Sequence, residues 1–118
     1  MADPRIRTLK IKTGVVKRLA KEKLSYEKEA EQQRARIVRL KGEGKDEYDI
    51  RKQEEVLQES LMMVPDCQRR LIKAYDELKS ILDSEQDLKD IAEFTAALGV
   101  LDEAKLQLPK PGETLHMC

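Results

Sequence analysis

Apolar residues return every seven positions along the first third of the chain. One line contains Leu9, Val16, Lys23, Ala30 and Ile37, and a second, offset by three, contains Leu19, Tyr26, Gln33 and Leu40. This heptad pattern is typical of a helix that packs lengthwise against another helix. Lys23 and Gln33 interrupt it, so the seam is imperfect. Asp3 as N-cap and Pro4 at the first helical position predict a helix over 4–41.

Glycines mark two points of this segment. Gly14 lies inside the helix, at a cost of about 1 kcal/mol relative to alanine. Close approach of a neighbouring helix is the usual reason for such a glycine, and contact with a ligand is the alternative. Gly42 and Gly44 can adopt left-handed conformations and predict a loop over 42–46.

The second segment has the most regular pattern. Its apolar line is unbroken at seven-residue spacing, with Ile50, Leu57, Val64, Leu71 and Leu78. Flanking apolar residues are Leu61, Cys67, Ala74, Tyr75, Ile81 and Leu82, so the face is wide enough to contact two partner helices. Pro65 removes one backbone hydrogen bond in the middle. Because the periodicity continues in phase beyond it, we predict a helix over 47–82 with a kink at Pro65.

A third, shorter helix is predicted over 85–106. Ser84 and Asp87 resemble a capping box, and Leu88, Ile91, Phe94, Leu98 and Leu101 form the inner stripe. Two prolines and a glycine follow, so residues 108–118 are predicted to be a flexible tail. The fold class is all-α: an elongated, antiparallel, coiled-coil-like three-helix bundle over 1–107.

Composition supports helices and restricts the class of protein. Charged residues make up 39% of the 118 residues and apolar residues 40%, which suffices for one apolar stripe per helix but not for an all-round apolar surface. The sequence has neither a run of about 18 apolar residues for a membrane span nor the apolar core of a signal peptide. We therefore expect a cytosolic protein without membrane contact. Cys67 is expected to be a buried thiol and not part of a disulfide framework.

Few residues could support catalysis. The only histidine, His116, lies in the predicted tail, and Cys118 beside it has no third group to orient a dyad. Gly42 and Gly44 lack the Lys-Ser/Thr that a nucleotide-binding loop needs. Carboxylate pairs such as Glu54-Glu55 do not have calcium-loop spacing. We expect no enzymatic activity, no cofactor and no metal.

The formal net charge is zero, but the charge is unevenly distributed. Residues 1–41 hold 13 Lys/Arg and 5 Asp/Glu, a net charge of +8, whereas 42–84 and 85–118 each carry −4. A basic helix is compatible with nucleic-acid binding. The alternative, which we favour, is that it neutralises the acidic second and third helices, because no aromatic residue lies within the basic cluster for bases to stack on. Met62 and Met63 fit either core packing or an adaptable partner surface.

Several stretches resemble a known family. They are Ala2-Asp-Pro-Arg5, 10–19 (KIKTGVVKRL), Lys21-Glu-Lys23, Tyr26-Glu-Lys-Glu-Ala30, Tyr48-Asp-Ile50 and 58–71 (QESLMMVPDCQRRL). Over 1–107 the chain is similar to the tubulin-specific chaperone A family, also called tubulin-folding cofactor A. The resemblance implies a cytoplasmic, cytoskeleton-associated chaperone that captures β-tubulin released from the cytosolic chaperonin and supports αβ-tubulin assembly. It implies β-tubulin as partner and other tubulin-folding cofactors indirectly, with no nucleic acid.

Neither the sequence nor the family motif specifies the contact residues. Our first hypothesis is the exposed flank of the second helix, with Lys52, Glu55, Glu59, Asp66, Arg69 and Arg70. The second is the basic face with Lys17, Lys21 and Lys28, because tubulin is acidic and a +8 segment would speed encounter. Removal of Met1 and acetylation of Ala2 are also expected.

Two other functional classes remain open at this point. The line from Ile50 to Leu78 could close between chains, giving a homo-oligomeric coiled-coil scaffold or tether. We expect a monomer, with a dimer as the alternative. The first helix could instead make the chain a nucleic-acid accessory module, which would bind with a steep salt dependence.

Overall fold

The computed structural model describes residues 3–109 and contains two long helices and one short one. They are α1 (Pro4–Gly42), α2 (Glu47–Ser84) and α3 (Ala92–Lys105), with a 3₁₀ turn at Gln86–Leu88 between α2 and α3. No strand occurs in this part of the chain. The molecule measures 64 × 32 × 17 Å, and α1 alone accounts for about 58 Å at 1.5 Å per residue. The predicted elongated three-helix bundle is confirmed.

Local capping explains where α1 and α2 begin. Asp3 accepts a hydrogen bond from the backbone N–H of Arg5 at 2.9 Å, and Pro4 occupies the first helical position. Asp46 accepts in the same way from the N–H of Tyr48 at 3.2 Å. Between the helices, Gly44 adopts a φ of 70°, a left-handed conformation that favours glycine. The chain therefore reverses within four residues, 43–46.

Contacts along the hairpin show that α1 and α2 are antiparallel. Lys12 pairs with Glu77, and Gln33 near the other end of α1 bonds with Gln53. The two polar residues that interrupt the α1 heptads are buried and have partners. The Gln33 Nε2 donates to the backbone oxygen of Gln53 at 2.9 Å and to its Oε1 at 2.7 Å. The Lys23 Nζ lies 3.2 Å from Glu27 Oε1.

The apolar line of α2 is buried unequally. Leu71 and Leu78 have no exposed surface, whereas Ile50, Leu57 and Val64 are half-buried. The reason is that α3 packs on only one half of the hairpin: the last residues of α3 reach α1 near Leu24. The other half, towards the loop, consists of two helices. The α2 helix is unbroken at Pro65, as predicted from its in-phase periodicity, while the kink itself stays a prediction.

The third helix begins later than predicted. Glu85 is the C-cap residue of α2 and does not start a helix. The α3 helix begins only at Ala92, and its N-cap residue, Ile91, makes no side-chain capping hydrogen bond. The Ser84 hydroxyl donates to the backbone oxygen of Ser80 at 2.7 Å, within the last turn of α2, and the 3₁₀ turn that follows has no side-chain cap. Asp87, the other half of the expected capping box, pairs with Arg5. The prediction of a helix from 85 was therefore wrong.

The inner stripe of α3 also differs from the prediction, because Leu98 lies outside it and Ala97 and Ala104 belong to it. Phe94, Ala97, Leu101 and Ala104 are buried, whereas Leu98 is 45% exposed. The small side chains of the alanines suit close packing, and α3 contacts α1 more extensively than α2. Leu108, the first residue of the predicted tail, packs against the core. The rest of that tail from residue 110 onward, and the acetylation site Ala2, lie outside the described residues.

Gly14 is not explained by a neighbouring helix. A Cβ atom built at this position meets nothing within 4 Å, and the residue does not have a positive φ. The expected close approach of another helix is therefore contradicted, and neither packing nor backbone conformation requires a glycine here.

Candidate partner-binding surfaces

The described residues offer exposed helix faces more than an enclosed site. Between residues 3 and 109, no three His, Cys, Asp or Glu side chains lie close enough together to hold a metal ion. None of the helices in this part of the chain combines the length and apolar character needed to cross a bilayer. The cavities found are open grooves between helices. The candidate surfaces of this part of the chain are outer helix faces and the grooves beside them.

The first candidate is an outer face of α2, defined here by residues spaced three and four apart: Lys52, Glu55, Glu59, Met62, Asp66 and Arg69. The structure brings the predicted charged residues onto this one line, with Arg70 beside it. It adds Met62, which is 71% exposed. The sequence analysis left open whether the two methionines are core residues. Their position between Glu59 and Asp66 was the available signal that Met62 faces outward.

Ion pairs hold the charged groups of this α2 outer face among themselves. Asp66 contacts Arg69 at 3.3 Å and Arg70 at 3.1 Å. Lys52 lies 3.8 Å from Glu55, and its ammonium group lies 5.4 Å from the ring centre of Tyr48. Exposed pairs of this kind contribute little to stability, and a partner can exchange them for its own charges at small cost. The α2 outer face thus presents the exposed side chain of Met62, with ion pairs between neighbouring charged residues on either side of it.

An open groove of about 500 Å³ runs beside Met62 between α1 and α2. Apolar groups from Tyr26, Val56, Met62 and Met63 line it, with Glu29 and Glu59 at the edges. No residue of α3 lines this groove, so it lies where the hairpin is only two helices wide. Methionine and tyrosine side chains adapt to irregular apolar partners. This groove extends the α2 outer face into a surface that can accept apolar side chains.

The second candidate lies on α1. Lys17, Lys21 and Lys28 are exposed and share one side of the helix. Lys17 and Lys21 also line a groove of about 230 Å³ formed with the end of α3, where Glu103 is a neighbour. The structure therefore places the two predicted sets on different helices and does not join them into one site.

A cluster at the end of the rod has a structural role. Arg5 contacts Asp3, Glu85 and Asp87 at 2.7–2.8 Å. It thereby ties the start of α1 to the connection between α2 and α3. Side-chain hydrogen bonds from Arg5, together with its backbone N–H, hold the pKa of Asp3 below its usual value. The bonds to Asp3, Asp87 and Glu85 raise the pKa of Arg5.

Cys67 is fully buried, as predicted. Burial raises the pKa of its thiol, and the nearby carboxylates of Glu22 and Asp66 act in the same direction. A thiol in this environment stays protonated, so it is an inert core group and not a nucleophile.

These features define a class of small, elongated, all-helical proteins. Over the described residues, this protein offers exposed helix faces on which a partner could bind. The family model described as "Tubulin binding cofactor A" matches residues 4–101. "Tubulin-specific chaperone A" of Rattus norvegicus is 59% identical over 107 residues, which cover 91% of this chain and 99% of that protein. "Tubulin-folding cofactor A" of Arabidopsis thaliana is 45% identical over 106 residues, covering 88% and 94%. The chain belongs to the tubulin binding cofactor A family.

Solved structures agree with this assignment. The "human tubulin chaperone cofactor a" superposes with a TM-score of 0.76 at 55% identity, covering 86% of this chain and 99% of that one. Tubulin folding cofactor A from Arabidopsis thaliana gives a TM-score of 0.80 at 42% identity, covering 87% and 97%. The resemblance in sequence thus extends to the three-dimensional arrangement of the helices.

Proposed function

We propose that this protein is a tubulin-folding chaperone that binds β-tubulin after its release from the cytosolic chaperonin and supports assembly of the αβ dimer. The observation that carries the proposal is membership of the tubulin binding cofactor A family over most of the chain, with relatives named as tubulin-specific chaperones. The proposed setting is the cytoplasm, in association with the cytoskeleton. Other tubulin-folding cofactors would take part indirectly.

Such a role requires only reversible binding. A partner that binds a released subunit withdraws it from aggregation by an amount set by the ratio of free partner to Kd, about 2.7 kcal/mol at a hundredfold excess over Kd. Neither nucleotide turnover nor a cofactor is needed for this. A long, narrow rod of 64 × 32 × 17 Å suits it, because its length offers contact area without an enclosed pocket.

The α2 outer face is our first proposal for the β-tubulin contact. Its exposed methionine and the adjoining groove provide apolar surface in the half of the hairpin that α3 does not cover. Its charged residues, including Glu55 and Arg69, surround that surface and are free to re-pair with a partner. The basic side of α1 with Lys17, Lys21 and Lys28 is the second proposal.

The direct test is co-migration with purified β-tubulin on a native gel, over a range of chaperone concentrations. We expect a shifted band that saturates, together with less aggregation of β-tubulin by light scattering. Absence of any shift, even with the chaperone in large molar excess over β-tubulin, would refute the proposal. Sedimentation of the protein alone across a concentration series tests whether it acts as the expected monomer or as a dimer.

A matched pair of variants tests the α2 outer face. Met62 and Val38 are both 71% exposed, but only Met62 lies on this face, so Met62→Glu and Val38→Glu introduce the same charge at equally exposed helix positions. We expect Met62→Glu to weaken β-tubulin capture by about tenfold, because a carboxylate would have to be desolvated in the contact. Val38→Glu should bind normally. Equal binding by the two variants would exclude this face as the contact.

A further inference from the structure

The outward side of α1 carries an uninterrupted row of positions spaced three and four residues apart, from 7 to 39. Every one of its ten residues is exposed. Six are basic: Arg7, Lys10, Lys17, Lys21, Lys28 and Arg39. The others, at positions 14, 24, 32 and 35, are uncharged. Of the carboxylates of α1, Glu22, Glu27 and Glu29 fall on other sides of the helix, whereas Glu31 lies at the edge of this row, three positions after Lys28. We call this row the basic stripe.

The cations of the basic stripe form no direct ion pair within the part of the chain that the structure describes. Ion pairs of α1 within residues 3–109 involve Arg5, Lys12, Arg18 and Lys23. None of these belongs to the stripe, and none of the six stripe cations has a carboxylate of residues 3–109 within 4.0 Å. Neutralisation of the acidic helices by these six cations stays a prediction, with Glu103 of α3 beside Lys17 and Lys21 as the neighbouring carboxylate. Their field points into solvent over about 48 Å, the length of 32 residues of helix.

Gly14 lies on this stripe between Lys10 and Lys17. Its missing side chain serves no packing purpose, since a Cβ would meet nothing within 4 Å. Its backbone is ordinary helix, so a side chain would cause no strain. Glycine at such a position is unfavourable compared with alanine. Without a side chain at this position, the helix backbone is open to close approach from outside the chain.

We propose that the basic stripe binds an extended, carboxylate-rich polypeptide segment of the client, with Gly14 as the point of closest approach. The charges are complementary: six cations lie along the stripe, and the nearby carboxylates of Glu31 and Glu103 lie at its margins. From Lys10 to Lys28 the helix rises about 27 Å, a distance that about eight residues of extended chain span. The proposal rests on the proposed function only for the identity of the client.

A polypeptide fits this surface better than a nucleic acid. No aromatic side chain lies on the basic stripe, so unpaired bases would find nothing to stack on. Each exposed charge pair contributes weakly, so binding has to engage several cations at once. Because these groups are exposed, salt should screen the interaction strongly.

The first experiment uses a fluorescent decaglutamate peptide and measures its anisotropy at about 20 and about 150 mM salt. Lys17, Lys21 and Lys28 are replaced together by glutamate. The control replaces Lys45, Lys79 and Lys89, which are exposed, unpaired within the described chain and off the stripe. Both triple variants change the net charge equally. We expect the stripe variant to lose about tenfold or more in affinity at low salt, and the control less than about threefold.

The second experiment tests the glycine. Gly14→Ala should raise the melting temperature, because alanine is the better helix former. The same substitution should weaken peptide binding by about threefold, and Gly14→Gln should weaken it further. A merely structural glycine would not separate the two readouts in this way. Unchanged peptide binding by both variants would overturn the role of Gly14.

Other outcomes also decide the proposal. Equal losses in the two triple variants would show that net charge alone binds the peptide and would overturn it. Oligothymidylate bound as tightly as decaglutamate, with the same loss in the stripe variant, would overturn the assignment to a polypeptide. If β-tubulin is captured normally by the stripe variant and despite excess decaglutamate, this inference fails while the proposed function stands. If wild-type protein captures no β-tubulin, the proposed function fails by itself.

Discussion

Leu57 and Leu71 occupy equivalent heptad positions on α2, so they allow a test of how stability is distributed along the rod. Leu71 has no exposed surface and belongs to the core formed by all three helices. Leu57 is half-buried, in the half of the hairpin that α3 does not reach. Replacing each by alanine removes the same atoms from two different environments.

The expected losses follow from burial. At Leu71 the substitution removes fully buried carbon atoms and leaves a cavity between packed helices, so we expect a loss of about 3 to 4 kcal/mol in the free energy of unfolding. At Leu57, which is half-buried, the substitution loses about half of the transfer free energy of a fully buried leucine side chain. Solvent can fill the space there, and the expected loss is about 1 to 1.5 kcal/mol.

Urea unfolding monitored by helical circular dichroism measures both values. With a slope of about 1.5 kcal/mol per molar urea, Leu71→Ala should lower the midpoint by about 2 M and Leu57→Ala by less than about 1 M. The slopes should equal that of the wild type, which confirms that the same transition is compared. Equal midpoint shifts would refute the reasoning, because the two halves of the rod would then contribute alike.

Three further predictions concern single groups. Cys67 should resist alkylation in buffer and react in urea along the unfolding curve, as mapped by peptide mass spectrometry; rapid labelling without denaturant would contradict its burial. The Arg5 contacts lower the pKa of Asp3 below 3.8, so its stabilising effect should be present near about pH 6 and fade as the pH falls through the lowered value. The difference in melting temperature between wild type and Asp3→Asn should shrink accordingly, and a constant difference down to strong acid would exclude this linkage. Gln33→Ala should cost about 1 kcal/mol in urea unfolding, because the hydrogen bonds to Gln53 are lost; an unchanged curve would show that they contribute nothing.

Much of the fold could be predicted because its determinants are local and repeated. The heptad lines of α1 and α2, the cap at Asp3 and the left-handed Gly44 each act over a few residues, and the structure agrees with all of them. Cys67 was placed in the core by its position on the apolar face of α2. Periodicity over more than thirty residues leaves few alternative structures.

The errors came from contacts that are distant in sequence. The Ser84 and Asp87 pattern looked like a helix start, but Asp87 pairs with Arg5, 82 residues away. Gly14 was assigned to helix packing because the sequence does not reveal which side of α1 stays unoccupied. Met62 is different, because its position between Glu59 and Asp66 on α2 was a local signal of its exposure. The partner-binding residues are proposals because they depend also on the surface of the client, which is a different protein.

The docking of α3 onto α1 has a consequence for biosynthesis. The hairpin joins segments that are neighbours across a four-residue turn, so α1 and α2 can pair once Ser84 has left the ribosome. In contrast, Val16 and Leu19 of α1 belong to the same core as Phe94 and Leu101 of α3, so that core is incomplete until α3 docks. Because only the short connection 85–91 joins α3 to the hairpin, docking of α3 waits for its own synthesis and not for closure of a large loop. A nascent chain therefore displays an unfilled apolar groove until α3 has been synthesised.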